Sequence, residues 1–172
     1  MNNSTKKTKV FAIGAAVSLF LFFFAVFLAY QIVKALSAPT ITLNSAIPRT
    51  DGSGKVDISV DVDDADITDT LSLRTQYWAG YSGSACPPSG VGAPSGVTST
   101  LDTTAGSFSA SLGTPTVSNS NFYQISNISV VDSGANTIQF DWLSDTDEPN
   151  ANDTYCVYLA PYDGTDLGTA VT

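Results

Sequence analysis

Residues 56–63 read VDISVDVD: Val56, Ile58, Val60 and Val62 alternate with Asp57, Ser59, Asp61 and Asp63. A period of two is what a strand with one buried and one wet face requires. Immediately upstream, PRTDGSG (48–54) is rich in turn formers with Asp51-Gly52 at its tip, and 40–44 supplies a first strand. Downstream, 71–79 alternates in the same way, with Leu71, Leu73, Thr75 and Tyr77 on one side. Residues 80–99 hold five Gly and three Pro, which predicts an excursion without long regular structure. Short strand-like stretches follow at 107–112 and 123–131. Then 137–143 sets Ile138, Phe140 and Trp142 against Gln139 and Asp141, and 154–160 sets Tyr155, Val157 and Leu159 against Cys156 and Tyr158. Many short strands separated by turns, with no amphipathic helix, predict an all-β sandwich over 40–172.

The N-terminal end is of a different kind. Residues 10–33, VFAIGAAVSLFLFFFAVFLAYQIV, carry no formal charge. As a helix this run measures roughly 36 Å, enough to cross a hydrocarbon core of about 30 Å. The expected organisation is a basic cytoplasmic tail at 1–9, a transmembrane helix at 10–35, a linker at 36–39 broken by Pro39, and an extracytoplasmic domain from 40 onward. Val10, Phe22, Phe23, Phe24 and Val33 mark the membrane anchor. Lys6, Lys7 and Lys9 precede the run and only Lys34 follows, so the positive-inside bias places Met1 in the cytoplasm.

Two other readings compete with a retained signal anchor. A secretory signal would have a shorter apolar core, although Ala35-Leu36-Ser37 offers a small-residue cleavage site. A prepilin-like helix cut near Gly14 matches the order of Lys-rich leader, Gly and apolar helix. Its usual Glu five residues after the cut is here Leu19.

Composition narrows the function. From Ala38 on, three basic residues face sixteen acidic ones, a net of −13 that repels nucleic acid and anionic headgroups. Histidine is absent, which removes the commonest general base and transition-metal ligand. No pair of carboxylates is placed at a defined distance in a cleft, so no catalytic constellation emerges and an enzyme is not expected.

The segment FDWLSDTDEPNANDTYCVYLAPYDGTDLG (140–168) resembles the second half of a fibronectin type III-like or related immunoglobulin-like domain. IPRTDGSGKVDISVDVDDADITDTLSLRTQYW (47–78) is similar to the opening strands of immunoglobulin-like repeats in bacterial surface proteins. The resemblance implies an immunoglobulin-like/fibronectin III-like sandwich, here preceded by one long N-terminal transmembrane-type α-helix. Such sandwiches host many unrelated roles, so it implies fold more than function.

Cys86 and Cys156 are the only cysteines, both beyond the membrane run, where disulfides persist. A bridge between them is expected, with Cys156 on the outer side of its strand. Asp61, Asp63, Asp64 and Asp66 crowd a strand end and form a candidate calcium site, weighed against a plain solvated loop. A second acidic cluster, Asp145, Asp147 and Glu148, is read in the same two ways. Asn127 and Asn152 head N-glycosylation sequons. No other cofactor is expected. The expected function is a membrane-anchored structural or binding module at the cell surface, acting by adhesion or as an accessory subunit. Its partners would be membrane lipid together with protein, glycan or copies of itself, without nucleic acid or a small-molecule substrate. The alternative is a pilin-like filament subunit with its helix in the filament core.

Overall fold

The computed structural model describes residues 18–29, 37–66, 70–78, 86, 96–131, 134–149 and 154–172. The chain divides into two units, Met1–Leu36 and Ser37–Thr172. In the first, residues 18–29 form helix α1, and its large apolar side chains, Phe20 and Phe22–Phe24 among them, are exposed. Among the described residues no helix is long and apolar enough to cross a membrane. The helix expected over 10–35 is thus described over its central twelve residues only, and Val10 and Val33 lie outside them.

In the second unit, the alternation at 56–63 becomes strand β2 (Val56–Asp63), with its valines and Ile58 buried and its aspartates toward solvent. A hairpin joins it to β1 (Thr40–Pro48), four residues longer than the sequence suggested. The register shifts between Leu43 and Ser45, so Asn44 is the extra residue of a bulge, and pairing resumes through Pro48 at the exposed strand end. Gly52, with φ of +79°, turns the hairpin, a conformation that costs a residue with a side chain more.

β3 (Thr70–Trp78) belongs to a second sheet. It is followed by the two-residue β4 (Val97–Thr98), β5 (Phe108–Ala110), β6 (Thr116–Val117), β7 (Ile125–Ser129), β8 (Asn136–Trp142), the short helix α2 (Ser144–Asp147) and β9 (Cys156–Tyr162). One sheet has the order β1-β2-β8-β5. In the other, β3 is central: β9 lines one edge, and β7 and β4 share the other, with β6 outside β7. Every pairing is antiparallel. Val171 exchanges both backbone bonds with Leu159 and so extends the sheet beyond β9.

The two sheets enclose one core in a sandwich-like arrangement. Val60, Val62, Ile138, Phe140 and Trp142 from one sheet meet Leu71, Leu73, Ile125, Ile128 and Leu159 from the other. At one end Tyr77 and Trp142 pack with ring centroids 4.9 Å apart, and Tyr155 closes the group at 5.9 Å from Trp142. β9 departs from expectation. Its sequence pattern suggested one buried face, yet Cys156, Tyr158 and Ala160 on the second face are buried as well. Trp78 and Ala170 pack on that face, which is why the strand reads as an almost continuous apolar run. The four-residue α2 and the short β4 and β6 have no periodic signature of their own.

Candidate functional site

The disulfide joins Cys86 to Cys156, with Cα atoms 5.6 Å apart across 70 residues. Cys156 stands at the start of β9, opposite Trp78 and on the outer face of its sheet, as its alternation demands. The bridge is structural: both sulfurs are consumed and no free cysteine remains.

Most members of the acidic clusters turn out to be tied into the fold. Asp147 accepts hydrogen bonds from the Thr100 N–H (2.7 Å), the Thr100 hydroxyl (2.6 Å) and Trp142 Nε1 (2.6 Å). Glu148 accepts from the Tyr77 hydroxyl at 3.1 Å. Burial, followed by that bond and the neighbouring carboxylates, pushes the Tyr77 phenol up to about 12, so it stays a donor. The second cluster therefore supplies acceptors for aromatic groups in the core; it was not legible as such because the donors lie far away in sequence. In the first cluster Asp61 accepts from Thr137 Oγ1 at 2.6 Å, and the Asp66 N–H donates to Asp64 Oδ1 at 3.0 Å. Among the described residues no group of three or more carboxylate, Cys or His ligands gathers around one point.

If it binds at 61–66, millimolar calcium raises the melting temperature of the chain's β unit, and Asp63→Asn with Asp66→Asn abolishes the gain. Unchanged melting curves in both calcium and magnesium would strike the site.

Asn127 is exposed on β7 at a φ of +57°, its amide donating to Thr116 Oγ1 at 3.3 Å. Asn152 lies outside the described residues.

The outer faces of the two sheets differ in chemistry. The face of β2 and β8 is polar and acidic: Asp57, Ser59, Asp61, Asp63, Gln139 and Asp141 point outward. Its cations are neutralised in place. Arg49 donates to Asp57 (2.6 Å) and to both oxygens of Asp141 (3.0 Å). Lys55 donates to Asp102 and stands 3.6 Å from Asp141. Hydrogen bonds from Lys55, the Thr104 N–H and Ser107 hold the Asp102 carboxyl well below the usual carboxylate range.

The outer face of β3 and β9 is aromatic instead. The Arg74 guanidinium lies 5.0 Å from the Phe122 ring centroid and 5.3 Å from that of Tyr158. Tyr123 stacks on Tyr162 at 4.8 Å with their planes 8° apart, and Phe122 meets Tyr123 edge-on at 5.0 Å. Phe122 is 61% exposed and Leu167, bridged to Tyr162, is 50% exposed. Among the described residues no carboxylate or carbonyl accepts a hydrogen bond from Arg74, and its Nε is buried without a partner. Sequence reasoning missed this patch, because 74, 122–123 and 162 come from distant segments and a loop residue carries no face. The one available signal was the two-sided apolar character of β9.

A cleft of about 480 Å³ opens beside the core end, lined by Pro48, Lys55, Trp142, Asp145, Glu148 and Tyr155 among others. Its cations are already paired, Lys55 with Asp102 and Arg49 with Asp57 and Asp141, and its Glu148 holds Tyr77. No family model, curated protein or solved structure matches this chain.

Proposed function

We propose that this chain is a membrane-anchored, extracytoplasmic contact module built on an immunoglobulin-like sandwich. The observation that carries the reading is the aromatic cluster around Arg74 on the outer face of β3 and β9, in which Tyr158 is buried and Phe122 is exposed. Large exposed apolar groups gathered around an arginine are the composition of binding hot spots, where Trp, Tyr and Arg dominate.

Strand connectivity supports the finer fold. The order β1-β2-β8-β5 follows the A-B-E-D order of an immunoglobulin sheet, and Val171, β9 and β3 stand where its G, F and C strands do. β4, β6 and β7 are additions on the free edge of β3. The anchor rests on α1, whose phenylalanines are exposed to an extent that water disfavours, and on the uncharged sequence of 10–33 in which α1 lies. The Cys86–Cys156 bridge fits an oxidising compartment.

Protease added outside intact cells or spheroplasts should digest the β unit and spare Met1 to Lys9. A β unit protected until lysis overturns the topology. Replacing Phe122 by Ser, a surface change that leaves the melting temperature near its original value, should release the module from whatever surface it occupies in its native envelope. Retention equal to that of the unchanged chain overturns the contact reading. In the pilin-like alternative the mature N-terminus starts near Ala15, which mass spectrometry of the native protein reads directly.

A further inference from the structure

We propose that the aromatic patch around Arg74 takes the acidic outer face of β2 from a second copy of this chain, so that copies associate head to tail. The proposal rests on the contact reading above and names its partner. Among the described residues Arg74 is the cation of the β unit without an acceptor, whereas Arg49 and Lys55 each hold carboxylates. A guanidinium between two aromatic rings with its donors unmatched is completed by a carboxylate, which takes them two at a time.

The same chain presents such carboxylates on its opposite side. Asp61 and Asp63 share the outer face of β2, and no described residue bonds to the Asp63 side chain. Arg49 and Lys55 are taken up by Asp57, Asp141 and Asp102, so Asp63 is the carboxylate of β2 that a partner's cation can meet. The occupant chosen is a second copy, whose β2 face carries the Asp63 carboxylate that no described residue bonds; an acidic polysaccharide brings carboxylates of the same kind, and the test below separates the two.

Symmetry follows from the chemistry. A two-fold pairing of the aromatic patch with itself would place Arg74 against Arg74 without a carboxylate between them. The contact is therefore between unlike faces, and unlike faces build rings or open filaments. One such contact is small, and copies anchored in one membrane raise their effective concentration enough for a weak contact to count.

The full chain in mild detergent provides the test, with self-association followed by sedimentation velocity over a range of concentrations. Arg74→Asp should weaken association at least tenfold, and Asp61→Arg with Asp63→Arg should do the same, each with an unchanged melting curve and an intact disulfide. Mixed one to one, the two variants should associate again, since each retains the face that the other has lost. A chain that is monomeric at every concentration, association indifferent to Arg74, or a mixture that fails to recover would each overturn the proposal. If the unchanged chain is monomeric but binds an oligosaccharide of glucuronic acid through Arg74, the partner is a glycan: the proposal fails and the contact reading stands.

Discussion

Replacing Gln124 by Leu should cost the β unit about 3 to 4 kcal/mol, although the two side chains are of similar size and the site is sealed from solvent. Gln124 is fully buried. Its Oε1 accepts from the Thr75 N–H at 2.9 Å, and its Nε2 donates to the carbonyls of Thr75 at 3.1 Å and Ser99 at 2.8 Å. The reason lies in β3, whose edge is shared by β7 at Leu71–Leu73 and by β4 at Gln76–Tyr77. Between them Thr75 lacks a complete strand partner, and the amide of Gln124 stands in for a backbone unit. Leucine would leave the Thr75 N–H and the Ser99 carbonyl buried and unpaired, at about 1 to 3 kcal/mol each; the Thr75 carbonyl would keep the Ser99 N–H. Urea unfolding should show a lower midpoint with an unchanged slope. Gln124→Glu sharpens the point. As a carboxylate it would face two carbonyl oxygens, so its pKa in the folded state is raised. The stability it contributes is then present below the ordinary Glu value and lost as pH rises through the raised one. A Gln124→Leu variant within 1 kcal/mol of the parent would show that water or a rearranged β4 takes over the amide's bonds.

The second large effect is expected from Cys86→Ser, which should lower stability by about 2 to 4 kcal/mol. The bridge closes 70 residues, and the loop it removes from the unfolded ensemble corresponds to roughly 4 kcal/mol on the chain-entropy argument. The position of Cys156 adds to this. It is 1% exposed on the face where Trp78, Tyr158 and Ala170 pack, so the variant leaves a buried thiol without its partner at the edge of that cluster. Thiol titration under denaturing conditions should find no free thiol in the native chain and one in the variant. Two free thiols in protein taken from its own compartment would place the domain in a reducing environment, and the proposed topology would fall with the bridge.

Much of the β architecture was already written in local pattern. The alternations at 56–63, 71–79 and 137–143 each became a strand with the expected face buried, because a strand with one wet side must repeat every two residues. The turn at Asp51-Gly52 and the pairing of two cysteines were equally local or arithmetical. Other features were invisible for a physical reason: they exist only between segments. Asp147 and Glu148 read as a solvated acidic run or a calcium site, and folding made them acceptors for Trp142 and Tyr77 by bringing β3 and β8 beside α2. Gln124 looked like an ordinary polar residue within the strand-like stretch at 123–131, and the break in the partners of β3 made it a buried rung. Arg74, one basic residue among alternating positions, gained its meaning when Phe122 and Tyr158 closed around it with no acceptor among the described residues. The sequence by itself determined which residues form strands and which side of most strands avoids water, since both depend on neighbours one or two positions away. Only the tertiary structure decided which polar groups are satisfied inside the fold and which face outward unmatched, because hydrogen bonds and ion pairs depend on what lies across space.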